Sequence, residues 1–461
     1  MAASLDANQQ VADQVLLAQL NYKLPPTASY VIDRRAVSFF TNSAGTFSPS
    51  GVRTFRIQLN SDAAWADLNT LSLSFTIKNT DARANAWLRS KTNGPWSLIS
   101  RLRLYCGGSV VEDLMHYGRL HETFHRLSSS TMKETEGMRG FLYRGRKDGE
   151  WLIGKIPSQQ TLTVSMRPLS GLLQCGRFFP IAWCPIVLEV ELADPGVAWK
   201  TGLTANLGEN QIATTSYELS DARVNCDLVT LDSGMQEEFA RLMEGSGSLP
   251  LTITSFATFN QALFGNNPTV AITRAASRIR DIIWSLSRKY VAGTLPGDVA
   301  FYGGNAHTES IGPANDFFYP RRSDTVAEVI YDRPGYETQW FLGAKILGPE
   351  QGFRFGHEYL QEMFKALGYL NDTKALPDID RETYYTESHI GAVSLERALN
   401  VANTGLSSRS GSLLSVQFKN LAPAVTPAGL GAGDIAVDQV YITIMHEVAL
   451  SLTKYGVVVA D

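Results

Sequence analysis

The residues best placed by type and spacing to do chemistry are His121, Glu122 and His125, in the run HETFH. Two histidines four apart share one face of a helix, where they could bind zinc while the intervening glutamate acts as general base toward a metal-bound water. The surroundings weigh against that use. Arg119 and Arg126 put charge beside positions that a zinc-protease helix usually keeps uncharged, and no glycine and third histidine come after at the longer spacing. Glu134 and Glu136 come after a polar SSST segment rather than on a clear second helix. Phe124 belongs with Leu114, Tyr117, Leu120 and Leu127 to an apolar stripe at helical spacing. The run therefore reads as two ordinary histidines on a surface or subunit-facing helix.

Other candidate chemistry is weaker. The chain has neither a GxxxxGKS/T phosphate loop nor a GxSxG elbow, and the glycines of Ala428 to Asp434 (AGLGAGD) read as turn residues between strands. Arg139, Arg144, Arg146 and Lys147, interleaved with Phe141 and Tyr143, could touch phosphate or stack a base. A solvated loop or an acidic neighbour suits the overall balance better. Glu237 and Glu238 are adjacent on a helix and point apart, which suits solvent rather than acid and base catalysis. Cys106, Cys175, Cys184 and Cys226 form no CxxC pair and read as reduced, small, buried apolar residues. The expectation is no enzyme: no catalytic, cofactor-binding or metal-binding residue, and no cofactor.

The elements that carry these residues are mostly strands. A chain of 461 residues with 44% hydrophobic and 19% charged residues is globular and long enough for two large β domains. A net charge of −4 and a pI near 6.0 supply no global basic field, so no direct sequence-specific nucleic-acid binding is expected. The first residues hold neither a basic leader nor a continuous apolar core, and no window approaches the ~18–20 apolar residues of a membrane span. This predicts a soluble product made in the cytosol. Val11, Val15, Leu16 and Leu20 mark a short amphipathic helix, which Pro25 and Pro26 detach from the strands beyond them. From about Val31 the period is two: Phe55, Ile57 and Leu59; Leu71, Leu73, Phe75 and Ile77; Leu102 and Leu104; Leu162, Val164 and Met166; Ile186, Leu188, Val190 and Leu192.

The midpoint organises the rest. Val229 and Leu231 end a strand, Met235, Phe239, Leu242 and Met243 mark a helix, and Gly245 to Ser248 break it. Leu249, Leu251 and Ile253, then Ile282, Trp284 and Leu286, restart the alternation. A Gly- and Pro-punctuated connection from Gly293 to Pro349 leads to a helix bearing Leu360, Met363, Phe364 and Leu367. Three strands close the chain, around Leu414 to Phe418, Val440 to Ile444 and Val448 to Leu452. Many half-buried strands with long connections, and one late helix in each half, point to two antiparallel sandwiches.

At this level the chain resembles the double jelly-roll major capsid proteins of double-stranded DNA viruses. LVTLDSGMQEEFARLM (228–243), LPLTITSF (249–256) and IRDIIWSL (279–286) are similar to the junction between their two barrels. SPSGVRTFRIQL (48–59), SLISRLRLYCGGSVVEDL (97–114) and FFPIAWCPIVLEVEL (178–192) are similar to the first barrel of the virophage, polinton-like and adenovirus-like group. The chain departs from the large algal-virus proteins in lacking an Asn-rich closing segment.

The resemblance implies an all-β fold with a few inserted helices, two tandem eight-stranded antiparallel jelly rolls. Its expected parts are an arm at 1–30, a first jelly roll at 31–231, a linker helix and joint at 232–248, and a second jelly roll at 249–461. It further implies a non-catalytic structural subunit of the virion, synthesised in the host cytoplasm. Homotrimers would form pseudo-hexameric capsomers that tile an icosahedral shell around a DNA genome. Neighbouring capsomers, penton and minor capsid or cement proteins would be partners, with the arm reaching an internal membrane or a minor protein. The alternative is a tandem β-sandwich carbohydrate-binding protein, or a zinc-dependent hydrolase using HETFH.

Overall fold

Alternation of buried and exposed residues sets the first sheets. In Thr54–Leu59 the residues Phe55, Ile57 and Leu59 point inward while Thr54, Arg56 and Gln58 face out, the pattern of a strand with one wet face. The structure, a computed structural model, describes residues 30–460 apart from 43–44, 91, 93, 138, 141, 148–149, 154, 200–202, 205–210, 246, 275, 288–335, 369–383, 385–388, 400–403, 410–412, 422–438 and 454–455. The N-terminal stripe and the AGLGAGD run lie outside the described residues.

Eight main strands form the first half: β1 (Val31–Phe40), β2 (Thr54–Leu59), β3 (Trp65–Asn79), β4 (Ile99–Cys106), β5 (Ser109–Met115), β6 (Thr161–Met166), β7 (Ile186–Leu192) and β8 (Tyr217–Leu231). They build two antiparallel sheets, β1-β8-β3-β6 and β2-β7-β4-β5. Helix α1 (Tyr117–Arg126) is inserted between β5 and β6. Helix α2 (Ser233–Glu244) comes after β8, with the Asp232 carboxylate accepting from the Gly234 N–H at its N-terminus.

The second half repeats the plan with β9 (Leu249–Ala262), β10 (Thr269–Ile272), β11 (Ile279–Ser287), β12 (Glu337–Leu342), β13 (Lys345–Leu347), β14 (Gly391–Ser394), β15 (Leu414–Lys419) and β16 (Gln439–Thr453). The sheets are β9-β16-β11-β14 and β10-β15-β12-β13, and β17 (Gly456–Ala460) folds back beside β16. Helix α3 (Gly356–Ala366) stands between β13 and β14. Counted one to eight within each half, both halves read 1-8-3-6 and 2-7-4-5, with the helix between strands five and six. Two tandem antiparallel jelly rolls are therefore the fold.

Strand direction alternates, so odd-to-even connections leave one end of each barrel and even-to-odd connections leave the other. The first set is 41–53, 80–98, 116–160 and 193–216, then 263–268, 288–336, 348–390 and 420–438. The second set is 60–64, 107–108 and 167–185, then 273–278, 343–344 and 395–413. Counted in sequence, the connections of the first set are together the longer ones. Like ends of the two barrels meet. At the even-to-odd end a β-carbon added to Gly107 would fall 2.6 Å from Gly456 Cα. At the other, the Arg119 guanidinium lies 3.7 Å from the ring centroid of Tyr441, on β16.

The cores are not symmetric. The second is built from residues between Leu263 and Ile444, whereas the first also takes in Ile253, Phe256, Val448, Leu450, Leu452 and Val457 from the other half. A further cluster joins Leu127, just beyond α1, to Met363 and Ala366 of α3 and to Ile283, Ile390 and Ala392. Phe124 meets Phe256 edge-on at 5.2 Å.

Four sequence expectations need correction. Leu114 belongs to β5 rather than to the helix, because pairing with β4 runs on to Met115 and His116 then turns at φ 52°. The segments around Val440 and Leu450 are one strand, since Met445, His446 and Glu447 continue the pairing with β9, and His446 and Glu447 are buried although polar. The connection from Gly293 to Pro349 contains β12 and β13. Finally, α1 is packed between the barrels and not at a surface: of its ten residues, eight are buried.

The Gly107–Gly456 contact gives a direct check on barrel packing. Gly107 (φ 54°) and Gly108 (φ 87°) both occupy a left-handed backbone, but nothing lies within 4 Å of a β-carbon at Gly108. Gly108→Ala should cost only the left-handed penalty of ~1–2 kcal/mol. Gly107→Ala adds a backbone clash and should lower the urea midpoint clearly further; equal losses would mean that the two turns do not meet.

Candidate functional site

The HETFH helix is held by the 3-10 turn Pro95–Leu98. Gly118 lets the helix come close, for a β-carbon there would sit 2.8 Å from the Trp96 carbonyl oxygen. The Trp96 ring stacks on His121 (4.2 Å, 17°) and tilts against His125 at 4.7 Å. Its Nε1–H donates to Glu122 at 2.8 Å, and Arg126 Nε donates to the other carboxylate oxygen at 2.9 Å. His121 Nε2 lies 3.1 Å from the Arg167 carbonyl, which only accepts, so this nitrogen carries the proton. Burial pushes the His121 pKa down, keeping the ring neutral. His125 Nδ1 bonds Glu136 at 3.0 Å.

Glu122, the base a zinc hydrolase would need, is thus engaged by two donors, and one nitrogen of each histidine is bonded, while His121 Nδ1 and His125 Nε2 are buried with no hydrogen-bond partner. Glu122 is fully buried with two donors, and an indole covers both histidine rings. Among the described residues no group of three or more His, Cys, Asp or Glu is arranged to hold a metal ion. The site can fix α1 in the wall between the barrels, and no observation favours a hydrolase.

The remaining sequence candidates scatter. Arg139 is exposed; Arg144, Arg146 and Lys147 lie on a strand, Leu142–Lys147, that pairs with Glu150–Ile153, and their side chains are outside the described residues. Glu237 and Glu238 are exposed on α2. The four cysteines are free of disulfides, three of them buried and Cys175 half-buried. Burial pushes the Cys184 and Cys226 thiols up to about 11, so neither is a thiolate nucleophile near neutral pH.

Glu112 and Asp281 are among the buried carboxyls that escaped the sequence reading. Glu112, on β5, accepts from the Ser170 hydroxyl and from the N–H groups of Gly171 (3.1 Å) and Leu172 (3.0 Å), and Ser255 of β9 also bonds it. A β-carbon on Gly171 would fall 2.1 Å from the Thr254 carbonyl oxygen, so the 167–185 connection is clamped against the second barrel. Burial raises the Glu112 pKa. Asp281, on β11, is 1% exposed, its Oδ2 has no hydrogen-bond partner, and burial pushes its pKa up to about 7. The only sequence signal was an acid inside an apolar run, VVEDL and IRDIIW.

Asp281 yields a pH prediction. The native state holds this proton up to about pH 7, while the unfolded chain releases it near 4. The contribution is complete below pH 4 and is lost as pH rises to 7, a swing of about 4 kcal/mol at ~1.4 kcal/mol per pH unit. Asp281→Asn should therefore gain stability relative to the parent chain between pH 4 and 8. Parallel urea curves at both pH values check this, and a constant difference would refute the buried acid.

Two jelly rolls side by side with like ends matched define the double jelly-roll class. Solved structures share it. They include PBCV-1 VP54 fitted into a reconstruction of the virophage Sputnik (TM-score 0.61, 12% identity, 95% of this chain and 99% of that chain). The Sputnik virophage structure matches at TM-score 0.57 and 9% identity over 95% and 90% of the two chains. The mavirus major capsid protein matches at 0.51 and 9% over 96% and 92%. No family model and no curated protein sequence matches the chain.

Proposed function

We propose that this chain is a major capsid subunit, a non-catalytic structural protein whose trimers act as pseudo-hexagonal capsomers of an icosahedral virion around a double-stranded DNA genome. The observation that carries the reading is the repeat of one eight-stranded topology with like ends aligned. Three such chains present six near-equivalent blocks, which tile a closed shell with few distinct contacts. Aligned ends also give the block an outside and an inside. The long odd-to-even connections suit the outer surface, and the end where β1 begins suits the interior. The double jelly-roll neighbours at TM-scores of 0.51 to 0.61 include a mavirus major capsid protein and a PBCV-1 capsid component, which supports the same use here.

The domain limits proposed are 31–231 and 249–461, joined through 232–248. Partners would be further copies of the chain, then penton and minor capsid or cement proteins, with synthesis in the host cytoplasm. Residues 1–24 would serve contacts between capsomers, or with a minor protein or membrane, and not the fold of either barrel.

Light scattering should give a mass about three times 50.6 kDa, independent of concentration. A chain lacking residues 1–24 should keep that mass and its folded barrels while forming fewer closed shells. Unfolding or dissociation of the truncated chain would place the segment inside the core and contradict the assignment.

A further inference from the structure

The even-to-odd end of the first barrel carries an open groove lined by Asp62, Ala63, Trp65, Pro180, Trp183 and one face of α2. Its floor is aromatic: Trp65 meets Trp183 edge-on at 5.7 Å and Phe239 at 4.9 Å. Its walls are low, since Ala63, Ala182 and Ala240 offer only methyl groups. Gln236 Nε2 donates to the Leu231 carbonyl at 3.1 Å and so fixes α2 along one side. Val31 and Met235 pack against the same Trp65 cluster beside it.

The described chain begins beside this groove. The Asp232 N–H, at the start of α2, donates to the Tyr30 carbonyl at 2.8 Å, and Val31 pairs with Leu231. From there to Trp65 is two strand spacings, about 10 Å. The 29 residues before Tyr30 include the stripe Val11, Val15, Leu16 and Leu20. The ten residues from Leu20 to Tyr30 reach up to ~33 Å when extended, ample for the stripe to return to the groove of its own chain.

We infer that the Trp65–Trp183–α2 groove is the docking site of the N-terminal segment of the same chain, which seats its apolar stripe there in the free subunit. Tethering favours this occupant over a second copy, because a short linker holds the segment at an effective concentration on the order of millimolar. Release of the segment to a neighbour during assembly rests on the proposed function; docking in the isolated chain does not.

The test uses the full chain carrying Leu16→Cys and Ala240→Cys, with Cys175→Ser to remove the half-buried native thiol. Under mild oxidation a bond between positions 16 and 240 of one chain should form at least tenfold faster than with Gln14→Cys, which lies off the stripe. Peptide mapping and non-reducing gels read the linkage. Equal rates for positions 14 and 16, no linkage to position 240, or a linkage only between chains would each overturn the inference. An unchanged light-scattering mass beside a failed cross-link would sink the docking and leave the capsid reading standing.

Discussion

Residues 1–248, expressed without the rest of the chain, should fail to fold cooperatively, whereas residues 249–461 keep a complete core of their own. The first core takes Ile253, Phe256, Val448, Leu450, Leu452 and Val457 from the second half. Six apolar side chains at ~1.5–3 kcal/mol each amount to about 9–18 kcal/mol of lost burial, an upper estimate because the unfolded chain already hides some of that surface. Whole domains are stable by only ~5–15 kcal/mol, so the first half has no reserve to cover the loss. Near-UV circular dichroism and a urea titration would read this. A sharp transition for 1–248 would show that the barrels are independent and that the shared cluster is only a contact.

The second large effect is expected at Trp96. Truncation to Ala opens a cavity worth ~3–5 kcal/mol and leaves Glu122 short of a donor, a further ~1–3 kcal/mol. Trp96→Phe keeps a ring against His121 but not the Nε1–H, so it should cost only the smaller part. Arg126→Met should be nearly as damaging as Trp96→Ala, since it strands the Glu122 carboxylate, and Glu122→Gln in the same chain should restore part of the loss. Added zinc should leave the unfolding midpoint of the parent chain unchanged. A ligand of the native state would raise it by mass action, and a zinc-dependent rise abolished by His121→Ala and His125→Ala would return the run to metal chemistry.

Both effects concern features that sequence spacing showed only in outline. Strands with one wet face were legible because period two survives in residues such as Phe55, Ile57 and Leu59 or Leu414, Val416 and Phe418. Helix α3 was legible for the same reason at period 3.6, and α2 from its Gly-rich end. Periodicity failed where a polar residue is buried. His446 and Glu447 split β16 in the sequence although both are buried, on opposite faces of the strand, and Glu122 and His121 gave α1 the look of a surface helix. Contacts between distant segments leave no local trace. Nothing near Gly107 announces Gly456, and nothing near Glu112 announces Ser170 or Ser255. Chemistry-bearing residue types in HETFH were read correctly as types, but their partners Trp96, Arg167 and Glu136 decide what they do.

Two barrels of one topology with matched ends suit the proposed role in a shell, and electron microscopy of the purified full-length protein tests that proposal most directly. Threefold particles are predicted, with a near-hexagonal outline, six similar lobes and one face bearing the longer connections. Single two-lobed particles at every concentration, or rings of another symmetry, would contradict it.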